Sequence, residues 1–168
     1  FIILFLSLHI ITAEHQISPS SFSKEINTIA SFTITITNTD TESAVIVSNV
    51  TQVNITLPNS LVFAADTNST DSWSEFTNNS NTLTWTNTSY VIGSFNGGSN
   101  VKVFSFNAKV ISLGVFNITV STKNSTSIII KNISLTISDI TNPEVILRNQ
   151  INNAEDLDGK VVFECGST

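Results

Sequence analysis

Oily and hydrophilic side chains take turns along most of this chain. Ser31 to Asn38 reads SFTITITN, with Phe32, Ile34 and Ile36 on one side and Ser31, Thr33, Thr35 and Thr37 on the other. A period of two is the signature of a strand with one dry face and one wet face. Val53, Ile55 and Leu57 repeat it against Asn54 and Thr56, in a segment from Val45 to Leu57 whose phase slips near Ser48-Asn49 as at a bulge. Val101 to Val110 sets Phe104, Phe106, Ala108 and Val110 against Ser105, Asn107 and Lys109. After Gly114, Phe116, Ile118 and Val120 alternate with Asn117 and Thr119, and Ile133, Leu135 and Ile137 continue the rhythm in a strand over Ile128 to Ile137. A shorter strand, Leu83 to Thr86, points Leu83 and Trp85 inward.

Composition agrees. Of 168 residues, 58 are Ile, Val or Thr, and 66 are Ser, Thr or Asn. β-Branched side chains favour pleated structure, and charged residues fall to 12%, about half the usual share. A helical bundle, a coiled coil and an acidic disordered tail are excluded. Seven or eight strands over about 120 residues, with no helical window between them, predict an all-β fold. Half-wet sheets stack dry face to dry face, so two antiparallel sheets in a sandwich are expected, with a closed barrel as the competitor. Between strands, Asp40 to Ser43 and Gly97-Gly98 read as turns, Pro58 ends a strand, and Leu61-Val62-Phe63 is a short apolar patch. Asp66 to Asn81 reads as a long loop or a weak edge strand.

The two ends read differently. Phe1 to Ile11 is too short to span a bilayer, which takes ~20 apolar residues, and matches the apolar part of a secretory signal cleaved after Ala13. The missing basic region and initiating Met read as truncation. Four zones follow: a signal remnant at 1–13, a β-domain at 14–139, a linker at 140–143 around Pro143, and the opening of a second β-domain at 144–168. Two short strands in that last zone cannot bury a core alone, so its Val161 and Phe163 need cover.

The run SFTITITNTD, with VNITLPNSLVF, LTWTN, VFSFNAKV and GVFNITVST, resembles the immunoglobulin-like repeats of prokaryotic, archaeal-type surface proteins over about residues 16 to 139. NPEVILRNQINNAEDLDGKVVFECGST is similar to the start of another such repeat. The resemblance implies an immunoglobulin-like sandwich of about seven to eight strands followed by a truncated second one. It also implies that Cys165 bridges to a strand beyond this sequence. It implies a secreted, cell-surface module whose partners are other surface modules or glycans.

Candidate chemistry is sparse. The net charge is −6 and the seven Lys and Arg are scattered, which excludes a nucleic-acid surface and disfavours an anionic membrane. His9 and His15 are the only histidines, and His9 lies in the signal, so no nucleophile–His–acid set is expected. Asp66, Asp71 and Glu75 form the densest acidic group, a weak Ca²⁺ candidate on oxygen-ligand grounds and a poor carboxylate pair for hydrolysis. Glu155, Asp156 and Asp158-Gly159 lack calcium-loop spacing, and Gly97-Gly98 lacks the Lys of a phosphate loop. No cofactor is expected. Eight glycosylation sequons start at Asn49, Asn54, Asn68, Asn78, Asn87, Asn117, Asn124 and Asn132, where composition alone predicts about 5.5. Asn54, Asn117 and Asn132 fall on the wet side of their strands, as both a glycan and a plain polar strand face require. Trp73 in its polar loop is the candidate for stacking on a sugar, whereas Trp85 belongs to the core.

These features point to a non-enzymatic extracellular spacer or building block. An accessory or carbohydrate-binding module of a secreted hydrolase is the first alternative, and it requires an exposed aromatic row. A filament subunit that donates Phe1 to Ile11 as a strand to a neighbour is the second.

Overall fold

The computed structural model describes residues 15–39, 49–70, 75–87, 92, 100–124 and 128–141. The signal remnant, Pro143 and the 144–168 zone with Cys165 lie outside these residues. Eleven strands are found among them: β1 (His15–Ser18), β2 (Ser21–Glu25), β3 (Ile29–Asn38), β4 (Gln52–Thr56), β5 (Leu61–Phe63), β6 (Ser69–Thr70), β7 (Glu75–Asn79), β8 (Thr82–Thr86), β9 (Val101–Val110), β10 (Gly114–Lys123) and β11 (Ile128–Ser138). They form two sheets. The first runs β1-β3-β9-β5, with β6 also on β9, and the second runs β2-β11-β10-β4-β8-β7.

The alternation decides which side of each strand is dry. Phe32, Ile34 and Ile36 from β3 and Phe104, Phe106, Ala108 and Val110 from β9 are buried. Opposite them stand Val53 and Ile55, Leu83 and Trp85, Ile118 and Val120, and Ile133, Leu135 and Ile137 from the second sheet. Each such burial, Ala108 apart, stabilises by about 1.5–3 kcal/mol before chain entropy is set against it. Aromatic rings close both edges of the sandwich. Phe22 of β2 meets Phe32 edge-on at 5.2 Å, and Phe32 stacks on Phe106 at 5.2 Å. At the other edge, Phe63 lies 5.8 Å from Phe76, Phe76 lies 5.0 Å from Trp85, and Trp85 meets Phe104 at 5.3 Å.

The strand count exceeds the expected seven or eight for two reasons. The first is a sheet switch. β1 pairs with β3, the chain turns at Pro19 and Ser20, and β2 then joins the second sheet. Both pieces are short and rich in polar residues, so no run of alternation announces them. The second is that the polar 66–81 stretch contains β6 and the edge strand β7, whose single large apolar residue, Phe76, holds it to the core. The expectation of purely antiparallel pairing also needs correction. β2 pairs parallel with β11, because a strand that changes sheet keeps its direction and meets a partner running the same way. Of the expected Val45 to Leu57 strand, residues 45–48 lie outside the described set, and β4 begins at Gln52 after an isolated bridge from Val50 to Ile92.

The sheet switch leaves part of β3 open. β1 covers only Thr35 to Asn38, so residues 29–34 have no strand on that side among the described residues. Lys24 lies across the gap. Its Nζ donates to the Ser31 carbonyl at 2.8 Å and sits 5.1 Å from the Phe32 ring centroid. A charged side chain on an exposed edge hinders pairing with another strand.

Candidate functional site

Where β3 and β10 finish, buried polar groups gather. His15, Asn38, Thr122, Asn87 and Asn124 are all buried there. His15 Nδ1 lies 2.6 Å from Thr122 Oγ1, a hydrogen bond that crosses from β1 in one sheet to β10 in the other. Asn38 Nδ2 donates to the Ile92 carbonyl at 3.1 Å, and the Asn38 amide donates to Asn100 at 2.8 Å. The Asn87 amide donates to Thr51, whose own amide donates to Lys123. These bonds tie the strand ends together where polar backbone would otherwise be buried unpaired. Thr122→Val keeps the shape and removes the hydroxyl. It is expected to cost about 1–2 kcal/mol, read as a lower denaturation midpoint at unchanged slope.

The middle of the broad face of the second sheet is a wall of uncharged hydrogen-bonding groups, flanked by Val115 at one end and by Lys123, Ile128 and Ile130 at the other. Asn132, Ser134 and Thr136 of β11 stand beside Asn117, Thr119 and Ser121 of β10, then Gln52, Asn54 and Thr56 of β4 and Thr82, Thr84 and Thr86 of β8. Neighbours bond across the strands. Thr119 Oγ1 donates to Asn132 Oδ1 at 2.9 Å, Gln52 Nε2 to Asn54 Oδ1 at 2.9 Å, and Thr56 and Thr82 meet at 3.1 Å. These bonds occupy the Oδ1 atoms of Asn54 and Asn132, whereas a glycan is attached through Nδ2.

The sequon residues separate by exposure. Asn78, Asn117 and Asn132 are exposed, and Asn49, Asn54 and Asn68 are half-buried. Asn87 and Asn124 are 4% and 2% exposed. Their burial comes from tertiary packing, since both lie at the polar end of the sandwich. Asp66 is exposed in the β5–β6 connection of the first sheet, with φ at 60°, and Glu75 opens β7 in the second sheet. Asp71 and Trp73 lie outside the described residues. Among the described residues, no group of three or more His, Cys, Asp and Glu side chains is placed to hold a metal ion. Trp85 is 1% exposed in the core, and no large aromatic is exposed among the described residues. No helix is long and apolar enough to cross a membrane among them.

The residues that sequence reasoning missed are polar ones inside. His15, Asn38 and Thr122 carry no motif. The available signal was phase: Asn38 and Thr122 continue the inward register of Ile36 and Val120.

No protein-family model matches the chain, and no curated protein matches it. Among the solved structures similar to it are these two. One is BslA, a bacterial hydrophobin, at 14% identity and a TM-score of 0.47, covering 76% of this chain and 100% of that one. The other is the BIgI domain of the beta protein from S. agalactiae, bound to CEACAM1, at 14% identity and a TM-score of 0.37, covering 76% of this chain and 98% of that one. Neither is archaeal, so the archaeal narrowing of the sequence resemblance has no counterpart among them.

Proposed function

We propose that this chain is a non-enzymatic, extracellular structural module, one building block of a larger surface assembly. The observation that carries it is the face formed by β11, β10, β4 and β8. At its centre the outward side chains are Ser, Thr, Asn and Gln, several of them bonded to one another, and Val115 at one end and Lys123, Ile128 and Ile130 at the other flank them. Such a face is wet, rigid and nearly free of charge. It suits a spacer exposed to solvent, and it offers no acid, base or nucleophile set at work on a substrate. On this proposal the exposed Asn78, Asn117 and Asn132 carry glycan first, then the half-buried Asn49, Asn54 and Asn68. The secretory leader at 1–13 and a following domain from 144 are part of the same proposal. The accessory-module alternative needs an exposed aromatic row and has no support among the described residues.

Labelling of intact source cells with a membrane-impermeant amine reagent tests the location. Peptides bearing Lys102, Lys109, Lys123 and Lys131 are expected to carry the label. Label that appears only after lysis overturns the proposal. Glycopeptide mapping of the same material reads the sequons.

A further inference from the structure

β1 and β2 divide one flank of the sandwich between the two sheets, and each sheet keeps an open half-edge there. β1 covers Thr35 to Asn38 of β3, and β2 covers Ser134 to Ser138 of β11. Residues 29–34 of β3 and 128–133 of β11 have no strand on that side among the described residues. The ladder fixes which backbone groups the gap on β3 exposes. The Val110 amide donates to the Thr28 carbonyl at 2.9 Å, and bonding alternates along an antiparallel strand. Ala30, Phe32 and Ile34 thus turn their amides and carbonyls to β9, and Ile29, Ser31 and Thr33 turn theirs to the open side. The side chains of those last three are exposed as well, whereas Thr35 and Thr37, beneath β1, are half-buried. Lys24 reaches into this gap. Its Nζ donates to the Ser31 carbonyl at 2.8 Å and lies 5.6 Å and 5.1 Å from the ring centroids of Phe22 and Phe32. The other half-edge also carries a lysine: Lys131 has the inward phase of Ile133 and Leu135 and is nonetheless exposed.

We infer that Lys24 guards this half of β3 against pairing with the same edge of a second copy of the chain. The edge is its own complement. In an antiparallel pair centred on Ser31, Ser31 faces Ser31 of the second copy and Ile29 faces its Thr33. The amides and carbonyls on the open side then bond one another across a two-fold axis. Residues 29–34 carry no charge, so nothing within them repels a second copy. Lys24 blocks the pairing twice. It occupies the Ser31 carbonyl, the acceptor at the centre of the pair. It also meets its own equivalent across the axis, where like charges disfavour the contact. The faces of Phe22 and Phe32 hold the ammonium in place by cation–π attraction. Without such a charge, an exposed edge is a template for a further strand. The guard goes beyond the building-block function and does not depend on it, since it keeps copies from joining side by side in any location.

Sedimentation of the full chain and of Lys24→Thr tests the guard, and amide hydrogen exchange locates the contact. Threonine suits a strand and removes both the charge and the reach. At about 100 μM the parent is expected to be monomeric, and Lys24→Thr to associate with itself at least about tenfold more strongly. The Ser31 and Thr33 amides are expected to exchange fast in the parent and to gain protection in Lys24→Thr as concentration rises. Overall charge works the other way, because one cation fewer takes the net −6 to −7 and strengthens repulsion between copies. Lys123→Thr makes the same change of charge at an exposed position of the second sheet and is expected to stay monomeric. Lys24→Arg keeps charge and reach and is expected to behave as the parent. Urea unfolding establishes that each variant is folded, and Lys24→Gln, which keeps an apolar stem against the two rings, is read in place of threonine if that variant is not. A folded, neutral variant that stays monomeric overturns the inference. So does a parent or a Lys123→Thr variant that associates equally, and so does association without protection at Ser31 and Thr33. Surface labelling reads a different property, so the guard and the location fail separately.

Discussion

Trp85→Ala is expected to lower the unfolding free energy by about 3–5 kcal/mol, a large part of the ~5–15 kcal/mol that a domain holds. Trp85 is 1% exposed and joins the two sheets. It comes from β8 in the second sheet and meets Phe104 of β9 in the first, edge to face, at 5.3 Å. It also meets Phe76, the residue that anchors the edge strand β7, at 5.0 Å. Removing the indole leaves a cavity bounded by strands held in their ladders, which cannot collapse into it. The loss therefore includes the transfer of the ring and the missing contacts around the void. The indole Nε1 is buried with no hydrogen-bond partner among the described residues, so Trp85→Phe removes an uncompensated polar group along with volume. Its cost is expected to be well under half that of the alanine variant. Urea unfolding of the two variants measures the difference. Equal costs for Ala and Phe defeat the packing account, and so does a loss below about 1 kcal/mol for Ala.

The second large effect separates two adjacent residues of one strand. Ile118→Thr is expected to cost about 2–4 kcal/mol, and Thr119→Val less than about 0.5 kcal/mol in either direction. Ile118 is fully buried between Ile133 on β11 and the facing sheet. Threonine there loses a methylene and brings a hydroxyl into an apolar site. Thr119 is on the opposite face and bonds Asn132 Oδ1 across the ladder at 2.9 Å. Valine gives up that half-exposed bond, and its β-branched shape suits the strand equally well. Both substitutions are β-branched for β-branched, so strand propensity cancels and burial alone is compared. Similar midpoints for the two variants mean that the alternation does not assign the faces. The same contrast bears on the proposed function, since Thr119 and Asn132 belong to the hydroxyl and amide wall.

Much of the sandwich was legible because burial and strand period coincide. β9 spans Val101 to Val110, the limits its alternation predicts. Phe32, Ile34, Ile36, Leu83, Trp85, Ile118, Val120, Ile133, Leu135 and Ile137 all face inward as their phase requires. Phe116, placed inward on the same grounds, is only half-buried at the end of the core. The strands that escaped, β1, β2 and β6, have two to five residues each and mostly polar ones, whereas β7 falls in the stretch read as a loop or weak edge strand. Over so short a run, alternation does not stand out from chance. Their strand character is imposed by the neighbour each one pairs with.

The sequons show the same limit from the side of the site. Asn117 and Asn132 alternate against buried aliphatics, so phase alone puts them on the wet face. Asn87 and Asn124 lie past the ends of β8 and β10, where no period operates, and only the packing of the strand ends turns them inward.

What this chain's sequence determines by itself is the all-β class, the dry and wet side of every long strand, and the uncharged polar character of the wet side. Those follow from local periodicity, in which each residue's neighbours two places away share its environment. The tertiary structure alone decides the sheet switch after β1, the parallel partner of β2, and the polar cross-link from His15 to Thr122. Each of these joins residues distant in the chain, and only the folded backbone brings them within contact range.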